Sequence, residues 1–179
     1  MPQLHSLPPV SSAVAWPQGL VIRPATPADA QQIADFHNLP GYRAGTLRLP
    51  YQSAEEVRRF LEQPRGDGIF MVAVMDEMVV GDIGLVRANG RRSHTATVGM
   101  GVHDAYQRRG IGRALLGEIV AISDEWLNLH RLELTVFCDN HAAVTLYQSF
   151  GFETEGVHRA YAFRAGAYAD VFGMARLRK

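Results

Sequence analysis

The sequence predicts a mixed α/β (α+β) fold in which a central sheet is flanked by helices. Apolar runs of strand length alternate with amphipathic segments of helical period, and turn-rich stretches separate them. The predicted order is β-α-α-β-β-β-α-β-α-β-β, without an internal repeat. A chain of 179 residues with 47% hydrophobic and 20% charged residues has the size and composition of one globular domain. We assign this domain to residues 19–179 and a flexible, Pro-rich extension to residues 1–18.

The first half of the domain is predicted to contain two helices and four strands. Thr26 followed by Pro27 is typical of a helix start, and Ser53 with Glu56 forms the capping-box pattern of a second helix, which ends near Leu61. The stretch from Leu39 to Pro50 contains Gly and Pro, which favours a loop. Strands are expected at residues 20–23, 69–75, 78–86 and 94–103.

The second half is predicted to contain two helices and three strands. Apolar residues recur at helical spacing from Leu115 to Leu129, so a long helix is expected from about Arg109 to Leu129. A shorter helix at residues 140–150 is expected to end at Gly151. The strands are expected at residues 131–137, 152–160 and 167–177.

Charge, cysteine and apolar content exclude several classes of protein. The 18 basic and 18 acidic residues balance, so no basic field indicates a nucleic-acid partner. No apolar run approaches the ~20 residues that cross a bilayer, so no membrane association is expected. The single cysteine, Cys138, excludes an intrachain disulfide and favours a cytoplasmic location. The seven histidines do not pair with cysteines or acids at ligand spacing, so no metal is expected.

The segment between the fourth strand and the long helix carries a pattern that suits a pyrophosphate group. Gly110 to Gly112 lead into the helix, whose first N–H groups are unpaired and lie at the positive end of its dipole. The glycines allow close approach of a ligand, and Arg108, Arg109 and Arg113 add positive charge. The pattern differs from the P-loop, which needs Gly-Lys-Ser/Thr, and from the dinucleotide motif, because residue 115 is Leu.

These residues carry a family resemblance. Gln107 to Gly112 is similar to the Q/R-x-x-G-x-G/A motif that binds coenzyme A in the GNAT superfamily of N-acetyltransferases. Asn140 to Phe152 resembles the family pattern N-x-x-A-x-x-x-Y-x-x-x-G-F. The resemblance covers about residues 20–177. It implies the GNAT acyl-CoA N-acyltransferase fold, in which the fourth and fifth strands splay apart to hold the cofactor.

The same resemblance implies a cofactor site for acetyl-CoA as co-substrate and a direct attack of an amine on its thioester. Backbone N–H groups near Val102 are implied to bind the oxyanion, and Tyr147 to act as general acid toward the leaving thiolate. The implied cofactor-binding residues are Met100, Gly101, Val102, Gln107, Arg108, Arg109, Gly110, Ile111, Gly112, Arg113, Asn140 and Tyr147.

The general base is left open between two side chains and water. Family members that carry a glutamate on the fifth strand have it where this sequence has Thr135. Glu133 lies two residues earlier and therefore on the same strand face. His94 is the second candidate, acting through water, and a chain of water molecules is the alternative to both.

The acceptor is predicted to be a small molecule with a primary amine. Residues 91–94, 133–140 and 161–176 look like those of bacterial L-amino-acid N-acetyltransferases of the AaaT (YhhY) type. This similarity implies an L-amino acid with an apolar side chain, such as methionine or phenylalanine. The walls of the acceptor site are expected at residues 39–50 and 161–170.

An acceptor carboxylate would be recognised by arginine, and Arg43, Arg92 and Arg164 are the candidates. Residues 39–51 contain no carboxylate, which a polyamine site would need. The alternative acceptors are a polyamine, a drug-like amine and a protein N-terminus. An alternative of another class is a non-catalytic acyl-CoA-binding sensor, and a homodimer is left open.

Overall fold

The computed structural model describes residue 10 and residues 14–63, 66 and 68–178, and a seven-stranded sheet lies at its centre. The strands are β1 (Val21–Pro24), β2 (Ile69–Met75), β3 (Met78–Arg87), β4 (Thr95–Val102), β5 (Arg131–Phe137), β6 (Glu153–Arg164) and β7 (Ala167–Leu177). They follow the order β1-β2-β3-β4-β5-β7-β6. The β4–β5 pair is parallel and the other pairs are antiparallel, so the predicted mixed sheet is confirmed.

In the described part of the chain, five α-helices cover the two faces of the sheet. They are α1 (Ala30–His37), α2 (Pro40–Gly45), α3 (Ala54–Glu62), α4 (Ile111–Ala121) and α5 (His141–Gln148). α4 continues into a π-helical turn at Ile122–Trp126, so the predicted long helix changes its hydrogen-bond pattern near its end. Short 3-10 turns lie at Pro27–Asp29, Gly90–Arg92 and Asp104–Tyr106. The capping box of Ser53 and Glu56 is present at the start of α3 as predicted.

Two predicted boundaries differ from the structure. The expected loop at residues 39–50 contains α2, whose Gly41 and Tyr42 N–H groups donate to the Asp104 carboxylate at 2.8 and 2.9 Å. This cap comes from a distant part of the chain, which is why local sequence did not reveal it. β6 extends to Arg164 rather than residue 160, because its hairpin with β7 turns at Ala165 and Gly166, both with positive φ.

Side chains on the two faces of the sheet enter two separate apolar clusters. On one face, α1, α2 and α3 pack through Ile33, Phe36, Tyr42 and Val57. On the other face, a larger cluster includes Leu115 and Ile119 of α4 together with Tyr147 of α5 and Phe152. Successive residues of β2 alternate between the clusters, as expected of a strand buried on both faces.

The sheet opens between β4 and β5. Their parallel pairing is confined to three residue pairs, from Thr95 opposite Arg131 to Thr97 opposite Glu133. Beyond Thr97, β4 stays paired with β3 up to Val102, and β5 stays paired with β7 up to Phe137. The two central strands therefore diverge toward their C-terminal ends, as the family resemblance implied.

The predicted extension at residues 1–18 is described in part. Residues 1–9 and 11–13 lie outside the described residues. The Val10 N–H and the Trp16 indole N–H donate to the buried Glu118 carboxylate of α4, at 3.0 and 3.2 Å. Pro17 reaches the start of α4, where it faces Gly110. The flexibility of this segment stays a prediction.

In the described part of the chain, none of the helices is long and apolar enough to span a bilayer. The histidine, cysteine and acidic side chains of these described residues form no group of three that would hold a metal ion.

Candidate active site

A cavity of about 550 Å³ fills the gap between β4 and β5. Its walls come from the diverging ends of both strands, the start of α4, one face of α5, and α2 with the residues after it. All of the predicted cofactor-binding residues except Arg109 line this cavity. Arg109 instead places its guanidinium over the Tyr106 ring, 4.8 Å from the ring centroid. The two sequence motifs, about 30 residues apart, thus converge on one space.

The start of α4 has the geometry of an anion site. Gly110 precedes the helix in the left-handed conformation with φ of 82°, and Arg108 also has a positive φ, of 60°. The first hydrogen bond of the α4 ladder runs from Ala114 N–H to Gly110 O, so the preceding N–H groups remain free for a ligand. These groups and the helix dipole favour a phosphate, and Arg108 and Arg113 line the same opening.

The end of β4 presents unpaired backbone donors to the cavity. His103 donates its N–H to Val80 O at 2.9 Å, toward β3. Because N–H groups alternate in direction along a strand, those of Val102 and Met100 face away from β3 and into the gap. Donors in this position suit a carbonyl oxygen that becomes negatively charged during a reaction.

Tyr147 and Asn140 face this gap from α5. Asn140 caps the helix by accepting a hydrogen bond from Ala143 N–H at 3.2 Å. Tyr147 is buried in the lining, with its ring 5.7 Å from that of Phe152. Burial raises the pKa of Tyr147 to about 12, so its hydroxyl stays protonated and available as a donor across the physiological range.

Neither of the two predicted bases, Glu133 and His94, lines the first cavity. Glu133 lies outside the cavity lining and accepts hydrogen bonds from Arg92 at 2.6 Å and Arg131 at 2.9 Å. Burial opposes its ionisation, but these arginines outweigh that effect and hold the pKa of Glu133 below its usual value. Such a carboxylate is a weaker base than a free one. His94 is exposed ahead of the first residue of β4 and is also absent from the lining.

A second cavity of about 510 Å³ adjoins the first and shares Thr46, Leu47 and Phe137 with it. The predicted acceptor walls meet here, because residues from the α2 region face residues 162–165 at the β6–β7 hairpin. Apolar side chains dominate the lining, and none of the described residues in it is acidic.

The three candidate arginines have different surroundings. Arg43 lines the second cavity, and its Nε is buried without a hydrogen-bond partner among the described residues. Arg164 also lines the cavity, but it pairs with the Asp139 carboxylate and donates to Ala44 O at 2.8 Å. Arg92 belongs to neither lining and pairs with Glu133. Arg43 is therefore the candidate whose side chain has a buried donor without a partner among the described residues.

Sequence reasoning missed a buried polar chain beneath the first cavity. Asp82 of β3 and His37 of α1 are each 2% exposed, and His37 Nε2 lies 2.6 Å from Asp82 Oδ2. The Tyr42 hydroxyl donates to Asp82 Oδ1 at 3.0 Å, and Tyr42 is one of the residues that line the cavity. The signal was present: an aspartate inside the apolar run from Met78 to Val86 needs a buried partner.

Comparison with known proteins matches the chain to acetyltransferases. The model of the acetyltransferase (GNAT) family matches residues 34–152. The chain is 38% identical over 162 residues to the L-amino acid N-acetyltransferase AaaT of Escherichia coli (strain K12), an alignment that covers 89% of this chain and 98% of that protein.

Solved structures share the fold. A spermidine N-acetyltransferase from Vibrio cholerae in complex with CoA and spermine superposes with a TM-score of 0.80 at 25% identity, covering 89% of this chain and 95% of that one. A ribosomal-protein-alanine N-acetyltransferase from Brucella melitensis gives a TM-score of 0.78 at 26% identity, covering 88% and 99%.

Proposed function

Because the chain belongs to the acetyltransferase (GNAT) family, we propose that it transfers an acetyl group from acetyl-CoA to the α-amine of an L-amino acid with an apolar side chain, such as methionine or phenylalanine. The choice of acceptor rests on the position of Arg43. This arginine lines an apolar cavity next to the cofactor cavity and keeps a buried, unpartnered donor.

The first cavity suits acetyl-CoA as the donor substrate. The free N–H groups at the start of α4 and the side chains of Arg108 and Arg113 would bind the pyrophosphate. The gap between β4 and β5 would take the extended arm, with the unpaired N–H groups of β4 as its partners. A solved relative of the same fold binds CoA, which supports this assignment.

The chemistry needs a donor for the oxyanion and a donor for the leaving sulfur. The N–H groups of Met100 and Val102 would bind the oxyanion that forms as the amine attacks the carbonyl carbon. Tyr147 would donate a hydrogen bond to the sulfur as the C–S bond breaks. Since the pKa of Tyr147 is raised to about 12 and a thiol has a pKa of about 8.5, Tyr147 stabilises the thiolate by hydrogen bonding rather than by full proton transfer.

The second cavity suits an amino acid better than a polycation. Leu47, Leu49 and Phe163 would contact an apolar side chain, while Arg43 would pair with the carboxylate. An unpaired buried donor costs about 1–3 kcal/mol, which a bound carboxylate would offset. A polyamine would instead meet Arg43, Arg48 and Arg164, and no carboxylate belongs to the described lining.

The test compares L-methionine with L-methioninamide and spermidine, measured by release of free thiol from acetyl-CoA. Loss of the carboxylate should cost about 1.5–3 kcal/mol in kcat/KM after correction for the different amine pKa values. The variant Arg43→Gln should lose the same amount with methionine and nothing with the amide. Arg92→Gln is the control, because Arg92 lies outside both cavities, and it should match wild type with both substrates.

Equal kcat/KM for the acid and the amide in wild type would refute a carboxylate site. Faster turnover of spermidine would then favour the polyamine alternative, and turnover confined to peptides would favour a protein N-terminus. Binding of acetyl-CoA without thiol release from any amine would favour the sensor alternative.

A further inference from the structure

The acetyl transfer needs an acceptor for the amine proton, and the lining of the first cavity does not supply an obvious one. Among the described residues that line it, none is a carboxylate or a histidine, and the ionisable side chains are tyrosines and arginines. Glu133 is neutralised by two arginines outside the cavity. The alternative to a chain of water molecules is therefore a protein acceptor that is reached through a lining residue.

Tyr42 lines the cavity, and its side chain hydrogen-bonds to a buried carboxylate. Its ring lies against Gly101 of β4, where a Cβ atom would come within 2.0 Å of Tyr42 Cε2. Its hydroxyl lies 3.0 and 3.3 Å from the two oxygens of Asp82, which is paired with Gly101 in the β3–β4 register. One side chain thus spans from the end of β4, beside the proposed oxyanion donors, to a buried acid.

We propose that Tyr42, Asp82 and His37 form the proton-accepting relay of the acetyl transfer, with the Tyr42 hydroxyl as the group that takes the proton of the attacking amine. This inference rests on the proposed function in that it needs an amine acceptor, but it does not depend on which amine is used.

The imidazole of His37 completes the relay. At 2.6 Å a proton lies between His37 Nε2 and Asp82 Oδ2, because two facing lone pairs would repel at that distance. His37 Nδ1 is held by Gln52 Oε1 at 2.7 Å, and the imidazole stacks on the Tyr42 ring with centroids 4.5 Å apart. Both oxygens of Asp82 are therefore engaged, one by the imidazole and one by the phenol.

Tyr42 transmits the proton rather than storing a negative charge. Burial and the charge of Asp82 raise the pKa of Tyr42 well above its usual value, while Arg48, which faces the hydroxyl from the segment after α2, acts in the opposite sense. The phenol is therefore protonated at rest. It can accept a proton from the cavity side only as it releases its own to Asp82.

The steps balance without an added reactant. The amine nitrogen forms a bond to the carbonyl carbon, and the C–S bond breaks with its electron pair on sulfur, stabilised by Tyr147. The amine proton moves to Tyr42 Oη while the original Tyr42 proton moves to Asp82 Oδ1. The Asp82–His37 pair then holds one proton more than at rest, which solvent removes after the amide leaves.

A structural role for the same residues predicts different kinetics, which makes the relay testable. We would measure kcat/KM for wild type, Tyr42→Phe, Asp82→Asn and the double variant from about pH 6 to about pH 10, using the amine that wild type acetylates fastest. Each single variant should lose about 100-fold near neutral pH, and the loss should shrink as pH rises and hydroxide replaces the relay. The double variant should be no slower than the slower single variant, because both changes break the same path.

Two controls separate the relay from folding and from the choice of substrate. Acetyl-CoA affinity by calorimetry should be unchanged in Tyr42→Phe, which keeps the ring against Gly101. The second control is Tyr168→Phe, at an exposed position of β7, which should keep the wild-type pH profile. A wild-type rate in Tyr42→Phe, a loss of equal size at every pH, or losses that multiply in the double variant would overturn the relay. If the fastest amine is not an amino acid, the acceptor proposal fails while this test stands.

Discussion

Substituting Gly101 with alanine tests whether Tyr42 is fixed against the end of β4. A Cβ at residue 101 would lie 2.0 Å from Tyr42 Cε2, 2.7 Å from Cδ2 and 2.8 Å from Cζ. Atoms do not approach this closely, so the ring must move. The ring has little freedom to do so, because it is 5% exposed, stacks on His37, and holds Asp82 through its hydroxyl.

The expected cost combines overpacking with the loss of a buried hydrogen bond. Forcing an extra carbon into a packed site costs about 1–3 kcal/mol. Moving Tyr42 also withdraws its hydroxyl from the Asp82 carboxylate, and a hydrogen bond to a charged group contributes about 1.5–3 kcal/mol. We expect Gly101→Ala to lower the free energy of unfolding by about 3–5 kcal/mol, a large share of the ~5–15 kcal/mol of a typical domain.

Urea unfolding measures this change, and Gly99 supplies a matched control. Gly99 lies two residues earlier on the same face of β4, where an added Cβ would meet nothing within 4 Å. Gly99→Ala should therefore stay within about 0.5 kcal/mol of wild type. In a Tyr42→Ala background, Gly101→Ala should cost little, since the obstructing ring is gone. Equal stability of Gly101→Ala and Gly99→Ala would refute the packing argument.

Two further variants probe the cofactor cavity. Gly110→Ala should weaken acetyl-CoA binding about tenfold by calorimetry, because a left-handed alanine costs about 1–2 kcal/mol and the loop would shift. Gly90→Ala, at another positive φ outside the cavity, should leave the affinity unchanged. Equal affinities in the two variants would contradict a role of the Gly110 backbone in binding. Tyr147→Phe should lower kcat roughly 10–1000-fold with little change in acetyl-CoA affinity. Because the pKa of Tyr147 is about 12, this loss of kcat should be the same from about pH 6 to about pH 9, in contrast to the loss in the relay variants. An unchanged kcat, in a variant whose chemical step limits turnover, would exclude Tyr147 from the mechanism.

The sequence predicted most of the residues that line the first cavity, Arg109 excepted, because these residues are set by local rules. Gly110 is needed where a loop enters α4 with a positive φ, and an N-cap such as Asn140 is needed where α5 begins. Each requirement acts over a few residues, so each leaves a readable pattern. The strand assignments hold for the same reason, since apolar runs of strand length fix both the location of a strand and its burial.

The acceptor side was less readable because it depends on contacts between distant segments. α2 receives its cap from Asp104, about 60 residues away, and the local helix signal in residues 39–50 is limited to Pro40 in the first turn. Glu133 looked like a base from its strand face, but Arg92 and Arg131 surround its carboxylate and lower its basicity. The presence of an arginine in the sequence does not show whether its guanidinium is already paired with a carboxylate.

The sequence by itself determined the family, the sheet with its flanking helices, and the motif at the start of α4. The tertiary structure decided which charges are free and which are already paired. Arg164 pairs with Asp139 and Arg92 with Glu133, while Arg43 keeps an unused donor, and Asp82 receives Tyr42 and His37 from two other elements. The physical reason is that backbone conformation follows from neighbours along the chain, whereas the ionisation and availability of a side chain follow from neighbours in space.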